Sequence, residues 1–178
     1  MKILNSYKTN PESNAQQHTE AEQILNCDHA DFLQILADIT DFWGSDRTLS
    51  YHHPMFVNEF GNTAFVIKNT NNDQVIAYLF GFISQTEQTG YVHLIGVRQS
   101  HQKKGLGRKL YDHFIDYLKQ LDIHHLKAIT TPTNEQSIRF HLGIGMQMTG
   151  VDYGNGINVI KDYSGVGQDR VVFRMKIG

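Results

Sequence analysis

Gln102-Lys103-Lys104-Gly105-Leu106-Gly107-Arg108 decides how this chain is read. The apolar run Tyr91 to Val97 enters it. The run Arg108 to Leu121 leaves it with Leu110, Phe114, Tyr117, Leu118 and Leu121 on one helical face. A glycine-rich turn between a strand and a helix N-terminus offers backbone N–H groups and a positive dipole end to an anion. Lys103, Lys104 and Arg108 add charge that suits phosphate. A dinucleotide fingerprint would need glycine where Leu110 stands, and a P-loop would need Gly-Lys-Ser/Thr, which is absent. The turn by itself is therefore either an anion site or a plain strand-to-helix connection.

Working outward, His125 to Thr130 reads as a strand, and the helical crossover before it makes it parallel to the Tyr91 strand. Pro132 ends it. Thr133 or Asn134 caps a helix through Ser137, Ile138, Phe140 and His141, closing at Gly143 or Gly145. Met146 to Asp152 is a short strand, Tyr153 to Gln168 a long loop, and Arg170 to Ile177 the closing strand. Upstream, Glu22 to Cys27 is a first strand. Asp28 caps a helix carrying Phe32, Ile35, Leu36, Ile39, Phe42 and Trp43, and Gly44 ends it. Pro54 to Phe60 is a short helix. Thr63 to Lys68 and Gln74 to Ser84 pair as a hairpin and, with the Tyr91 strand, form a meander. The fold class expected is α/β, with a mixed, mostly antiparallel sheet containing one parallel pair and flanked by helices. Residues 1–21 are a polar extension, in which Ile3-Leu4 is either a short edge strand or loosely held chain, and 22–178 form a single domain.

The 178 residues suffice for one domain with a core, and a formal net charge of -2 supplies no global basic field for nucleic acid. Cys27 is the only cysteine, which excludes an intrachain disulfide. Neither His52-His53 nor His124-His125 points two ligands at one metal, so no metal site is expected. The polar start has no signal-peptide core and no apolar run is long enough to cross a bilayer, so the expected compartment is the cytoplasm.

Two linked blocks carry a resemblance. Ile95-Gly96-Val97 followed by Gln102-x-x-Gly105-x-Gly107 is the first. Asn134-x-x-Ser137-x-x-Phe140-His141, followed by Leu142-Gly143-Ile144-Gly145-Met146, is the second. Together they resemble the GCN5-related N-acetyltransferase (GNAT) superfamily, strongly over residues 91 to 150. The resemblance implies acetyl-CoA as acyl donor and direct transfer to an amine acceptor, a small molecule or a protein. It implies that the backbone of Gln102, Lys103, Lys104, Gly105, Leu106, Gly107 and Arg108 holds the pyrophosphate. It also implies that the strand end at Ile95 and Val97 pairs with the pantetheine arm, as an added strand would, and that Asn134 and Ser137 face that arm. A backbone N–H near Val97 would hold the oxyanion. Family members often dimerise, so a homodimer is expected. No nucleic-acid or membrane partner is.

His141 stands where many members carry a tyrosine that protonates the leaving thiolate. An imidazolium can do that work, and a helix-end structural histidine is the alternative. His93 lies on the strand lining the slot. Alternation puts Tyr91, His93, Ile95 and Val97 on one face until a bulge intervenes, making His93 the first candidate base, against a satisfied sheet histidine. Glu59 and Glu87 are weaker bases. Asp162 and Tyr163 would shape the acceptor pocket, and Trp43, Phe56 and Phe60 would form its apolar wall or simply core. Asn134 is either an N-cap or a coenzyme contact, or both. Gly107 is read as letting the backbone approach phosphate. Transfer of a longer acyl group and a non-catalytic acyl-CoA-binding module are the alternatives to acetyl transfer.

Overall fold

The structure is a computed structural model and describes residues 22–154 and 156–178; the expectations for residues 1–21 lie outside them. A seven-stranded sheet runs in the order β1-β2-β3-β4-β5-β9-β6. Its strands are β1 (Gln23–Asn26), β2 (Ala64–Asn69), β3 (Gln74–Ile83), β4 (Gly90–Val97), β5 (His125–Thr130), β6 (Gln147–Thr149) and β9 (Val171–Lys176). β7 (Val151–Asp152) and β8 (Asn158–Val159) form a separate small ladder inside the stretch expected to be strand and loop. Among the described residues only β4 and β5 pair in parallel, and only from Gly90↔Leu126 to Val92↔Ala128. Beyond Val92 the two strands part. The β5-facing edge of β4 is left without a ladder while its other edge stays paired with β3 up to Val97↔Ala77.

Among the described residues five α-helices flank the sheet: α1 (His29–Ala37), α2 (Ile39–Trp43), α3 (Met55–Asn58), α4 (Leu106–Gln120) and α5 (Glu135–Gly143). One core lies between the sheet and α4–α5. Leu110, Phe114 and Leu118 are fully buried there, each worth about 1.5–3 kcal/mol of transfer free energy. The other core joins α1–α3 to the opposite face through Phe32, Phe42, Phe56, Tyr78 and Phe80. Asp28 and Asp31 form a reciprocal capping box on α1, and Gly44 closes α2 in the left-handed conformation. The expected single helix is two. At Asp38 the backbone leaves helical geometry, and the Asp38 carboxylate turns to Arg98.

β4 carries the feature that most affects the site. Phe80 faces Leu94 but Gly81 faces Val92, so His93 is the extra residue of a β-bulge. Leu94 and His93 therefore both look toward α1–α3, whereas Ile95 and Val97 pack into the α4 core. The shared face expected for His93, Ile95 and Val97 is divided by this bulge.

Candidate active site

The glycine turn is built by backbone conformation. Lys103 has φ 62° and Gly105 φ 83°, and α4 begins at Leu106 with no side chain capping it. The first helical bond is Lys109 N–H to Gly105 O at 3.0 Å. Among the described residues, the N–H groups of Gly105 to Arg108 have no protein acceptor, which leaves them for an anion. A Cβ on Gly105 would meet nothing within 4 Å, so this glycine serves the positive φ and leaves open space above it. Gly107 differs from its expected role. It is buried, and its missing Cβ faces inward, 3.2 Å from the Phe140 ring and 3.7 Å from Ile95 Cδ1. It is a packing glycine that lets α4 lie against α5 and β4.

The other residues of the turn divide by exposure. Lys103, Lys104 and Arg108 are exposed, Arg108 lying 3.8 Å from Asp112, and Leu106 is core. Gln102 Nε2 donates to Val97 O at 3.3 Å and ties the turn to the strand end. Ile95 and Val97 offer their backbone to the open slot and their side chains to the core. Across the slot Asn134 Oδ1 accepts from Ser137 N–H at 3.1 Å, so it is an N-cap; its amide nitrogen has no partner among the described residues.

His141 is closed in. Its Nδ1–H donates to Ser137 O at 2.7 Å, its Nε2 accepts from the Tyr111 hydroxyl at 2.7 Å, and its ring stacks on Phe173 at 4.6 Å. Burial lowers its pKa to about 4, against a smaller opposing effect of the Ser137 carbonyl. Near neutral pH it is an uncharged imidazole whose one proton is committed to a carbonyl. This geometry disfavours the proton-donor role expected for it.

His93 is placed differently. It stacks on Phe56 at 4.8 Å and its Nε2–H donates to Tyr51 O at 3.2 Å. That leaves Nδ1 as a lone-pair acceptor without a partner among the described residues. Burial lowers its pKa, and the Tyr51 carbonyl partly offsets this. A neutral imidazole with one free nitrogen is the form a general base requires.

Sequence reasoning missed the polar groups around these two. Arg98 is 3% exposed; it donates to Val75 O and to the Asp38 and Asp41 carboxylates, fastening the exit of β4 to α2. Trp43 Nε1 donates at 2.6 Å to the Tyr78 hydroxyl, which donates at 2.6 Å to His52 Nε2, while His52 Nδ1–H bonds Thr48 O. Trp43 and Phe56 are thus structural before they are wall. Glu87 is not a free base: Arg174 holds it at 2.9 and 3.1 Å, Lys127 lies 3.6 Å away, and the Arg174 bonds keep its pKa below the usual carboxylate range. Glu59 is exposed. Asp162 accepts from Gly167 N–H and shapes its own loop, and Tyr163 stands partly exposed beside it. The cations Lys127 and Arg174 in otherwise apolar strands were the available signal for this network.

Two surface hollows, about 440 Å³ beside Phe60, Ile83 and Tyr117 and about 340 Å³ beside Gln147 and Met175, contain none of the candidate coenzyme residues and neither His93 nor His141, while Glu59 lines the first. Among the described residues no helix is long and apolar enough to cross a membrane, and no group of three or more His, Cys, Asp or Glu side chains could hold a metal ion.

Comparison with known proteins places this geometry. Two L-2,4-diaminobutyric acid acetyltransferases are similar to the chain. That of Shouchella clausii is 32% identical over 52% of this chain and 51% of its own length. That of Marinococcus halophilus is 30% identical over 62% of this chain and 61% of its own. The chain thus spans only about half to three fifths of these relatives. The yncA protein of Salmonella typhimurium, solved with its cofactor acetyl-CoA, superposes with a TM-score of 0.58 at 20% identity, covering 89% of this chain and 95% of that one. The profile of the acetyltransferase (GNAT) family matches residues 29–146, and with that match the chain belongs to this family.

Proposed function

We propose that the protein is an acetyl-CoA-dependent N-acetyltransferase that moves the acetyl group directly from the thioester to an amine. The observation that carries this is the uncapped N-terminus of α4 standing directly beyond a strand whose β5-facing edge is open from His93 to Val97. The amides of Gly105 to Arg108 would take the pyrophosphate, with Lys103, Lys104 and Arg108 around it. The β4 edge would take the pantetheine amides, with the free Asn134 amide opposite. When bound, the coenzyme supplies a thioester carbonyl as electrophile.

The ammonium acceptor loses a proton to His93 Nδ1, directly or through water. The amine nitrogen then bonds the carbonyl carbon, and a backbone N–H near Val97 stabilises the oxyanion. The attacking nitrogen would lose its second proton to solvent, and as the carbonyl re-forms the carbon–sulfur bond would break, its electron pair leaving with sulfur as CoA thiolate. A thiol of pKa about 8.5 is a competent leaving group near neutral pH, and the thiolate takes its proton from solvent. His141 in this reading is a structural residue that ties Ser137 on α5 to the buried Tyr111 on α4. The two diaminobutyric acid acetyltransferases are named for an amino acid acceptor, which supports a small-molecule amine here. A cytoplasmic enzyme, homodimeric as family members often are, completes the proposal.

Acetyl-CoA at about 100 times its dissociation constant should stabilise the fold by roughly 2.7 kcal/mol. CoA release across an amine panel then tests turnover. No thermal shift with any acyl-CoA would overturn the coenzyme reading, and a shift without CoA release would leave a binding module.

A further inference from the structure

We infer that Arg170 determines acceptor specificity by pairing with a carboxylate carried by the amine substrate. The inference rests on the transferase reading above and names the acceptor class.

Alternation along β9 sends Val171 and Phe173 into the core shared with α4 and α5, so Arg170, Val172 and Arg174 share the opposite face. Lys127 of β5 lies on that face too, 5.6 Å over the ring of Tyr91, and Tyr91 neighbours His93 with ring centres 6.5 Å apart. Val171 pairs with Thr130, the last residue of β5 and past the end of the parallel ladder. Arg170 therefore stands level with the splayed part of β4, on the side from which His93 is reached.

The charges on this face do not cancel. Lys127 and Arg174 share the single carboxylate of Glu87. Arg98 has Asp38 and Asp41, and Arg139 has Glu135. Arg170 is half-buried, yet among the described residues it has no carboxylate within 4.0 Å. It donates only to Asp169 O at 2.8 Å and Gln168 Oε1 at 3.1 Å. Three of its five N–H donors stay open. Its backbone is fixed by two bonds to Ile160, at 2.9 and 3.1 Å, so the guanidinium stands on a held segment. Its charge acts on the Tyr91 phenol, which burial otherwise pushes up and keeps protonated as a neutral donor. A half-buried guanidinium without a counter-ion is a costly arrangement that a carboxylate relieves, and its planar fork matches that group bidentately.

The test uses L-α-amino acids, each paired with its own α-carboxamide, with kcat/KM referred to the neutral amine because replacing the carboxylate also lowers the ammonium pKa. With acetyl-CoA, the wild type should prefer at least one acid over its amide by about 10- to 100-fold in kcat/KM. R170A should remove that preference by weakening the acid alone, and R170K should restore part of it. Equal use of acid and amide by the wild type, or equal weakening of both by R170A, overturns the inference. Calorimetric titration of the same pairs onto the CoA-bound protein reads the question without turnover. No acid binding more tightly than its amide overturns the role of Arg170. An acid that binds in an Arg170-dependent way but is never acetylated overturns the transferase reading instead.

Discussion

The Phe140 ring lies 3.2 Å from where Gly107 would carry a Cβ, so the two glycines of the phosphate turn have separate duties. Gly107→Val should lower Tm sharply, with coenzyme affinity falling only as the fold is lost. Gly105→Ala meets no neighbour but forces a side chain to φ 83°, costing roughly 1–2 kcal/mol or a rearranged turn. It should weaken acetyl-CoA binding while the protein stays folded. Denaturant melts with and without coenzyme separate the two. A Gly107→Val protein of normal Tm but lost coenzyme binding would show that the missing Cβ of Gly107 serves phosphate approach and not packing against Phe140.

His141 makes stability depend on pH. Its folded pKa of about 4 lies below the unfolded value of about 6.5, so the unfolded chain binds more protons between them. Stability is therefore full above about pH 6.5 and falls as pH drops toward 4, by about 3 kcal/mol from this group. His52 and His93, also lowered by burial, add in the same direction. Urea melts across this range should show the slope, and His141→Phe should flatten it. The same substitution orphans the Tyr111 hydroxyl, at about 1–3 kcal/mol.

For His93, replacement by alanine should lower kcat by about 100-fold, the range of general-base catalysis. Because burial lowers the His93 pKa, the wild-type kcat/KM should hold to a lower pH than a free imidazole would allow. The variant should lose that acidic limb. An unchanged pH profile would remove His93 from proton transfer.

Arg98→Met keeps the bulk but leaves Val75 O, Asp38 and Asp41 without their donor. The two carboxylates are about 40% exposed and can rehydrate, so the loss should be about 2–3 kcal/mol, below that of a fully buried ion pair. A chemical denaturation midpoint reads it. Arg98→Lys should recover only part, because one ammonium cannot reach all three acceptors in the plane that the guanidinium uses.

Local signals were legible and long-range pairings were not. The Asp28 cap, the Gly44 terminator and β5 at His125–Thr130 each stand on residues adjacent in sequence. A bulge on this strand was allowed for, but its position at His93 is silent, because the Tyr91 to Val97 pattern looks regular on either side of it and only the partner strand counts the extra residue. Gly107 was misread since a glycine in a turn looks the same whether ligand or ring occupies the missing Cβ. The ring belongs to Phe140, in another helix. The Arg98 clamp, the Tyr111–His141 bond and the Glu87 network join residues far apart in the chain, and no spacing announces them.

The three-pair ladder between β4 and β5 also divides the order of assembly. β2, β3 and β4 are joined by tight connections, from Asn69↔Gln74 to Ile83↔Gly90. β5 must wait for β9, which pairs His125 with Lys176 near the far end of the chain. Contacts close in sequence form first and distant ones later. The meander should therefore be protected early in refolding, with the amides of Leu126 to Ala128 among the last to slow in pulsed hydrogen exchange. The seam that parts beyond Val92 is thus also where the second half of the sheet docks onto the first.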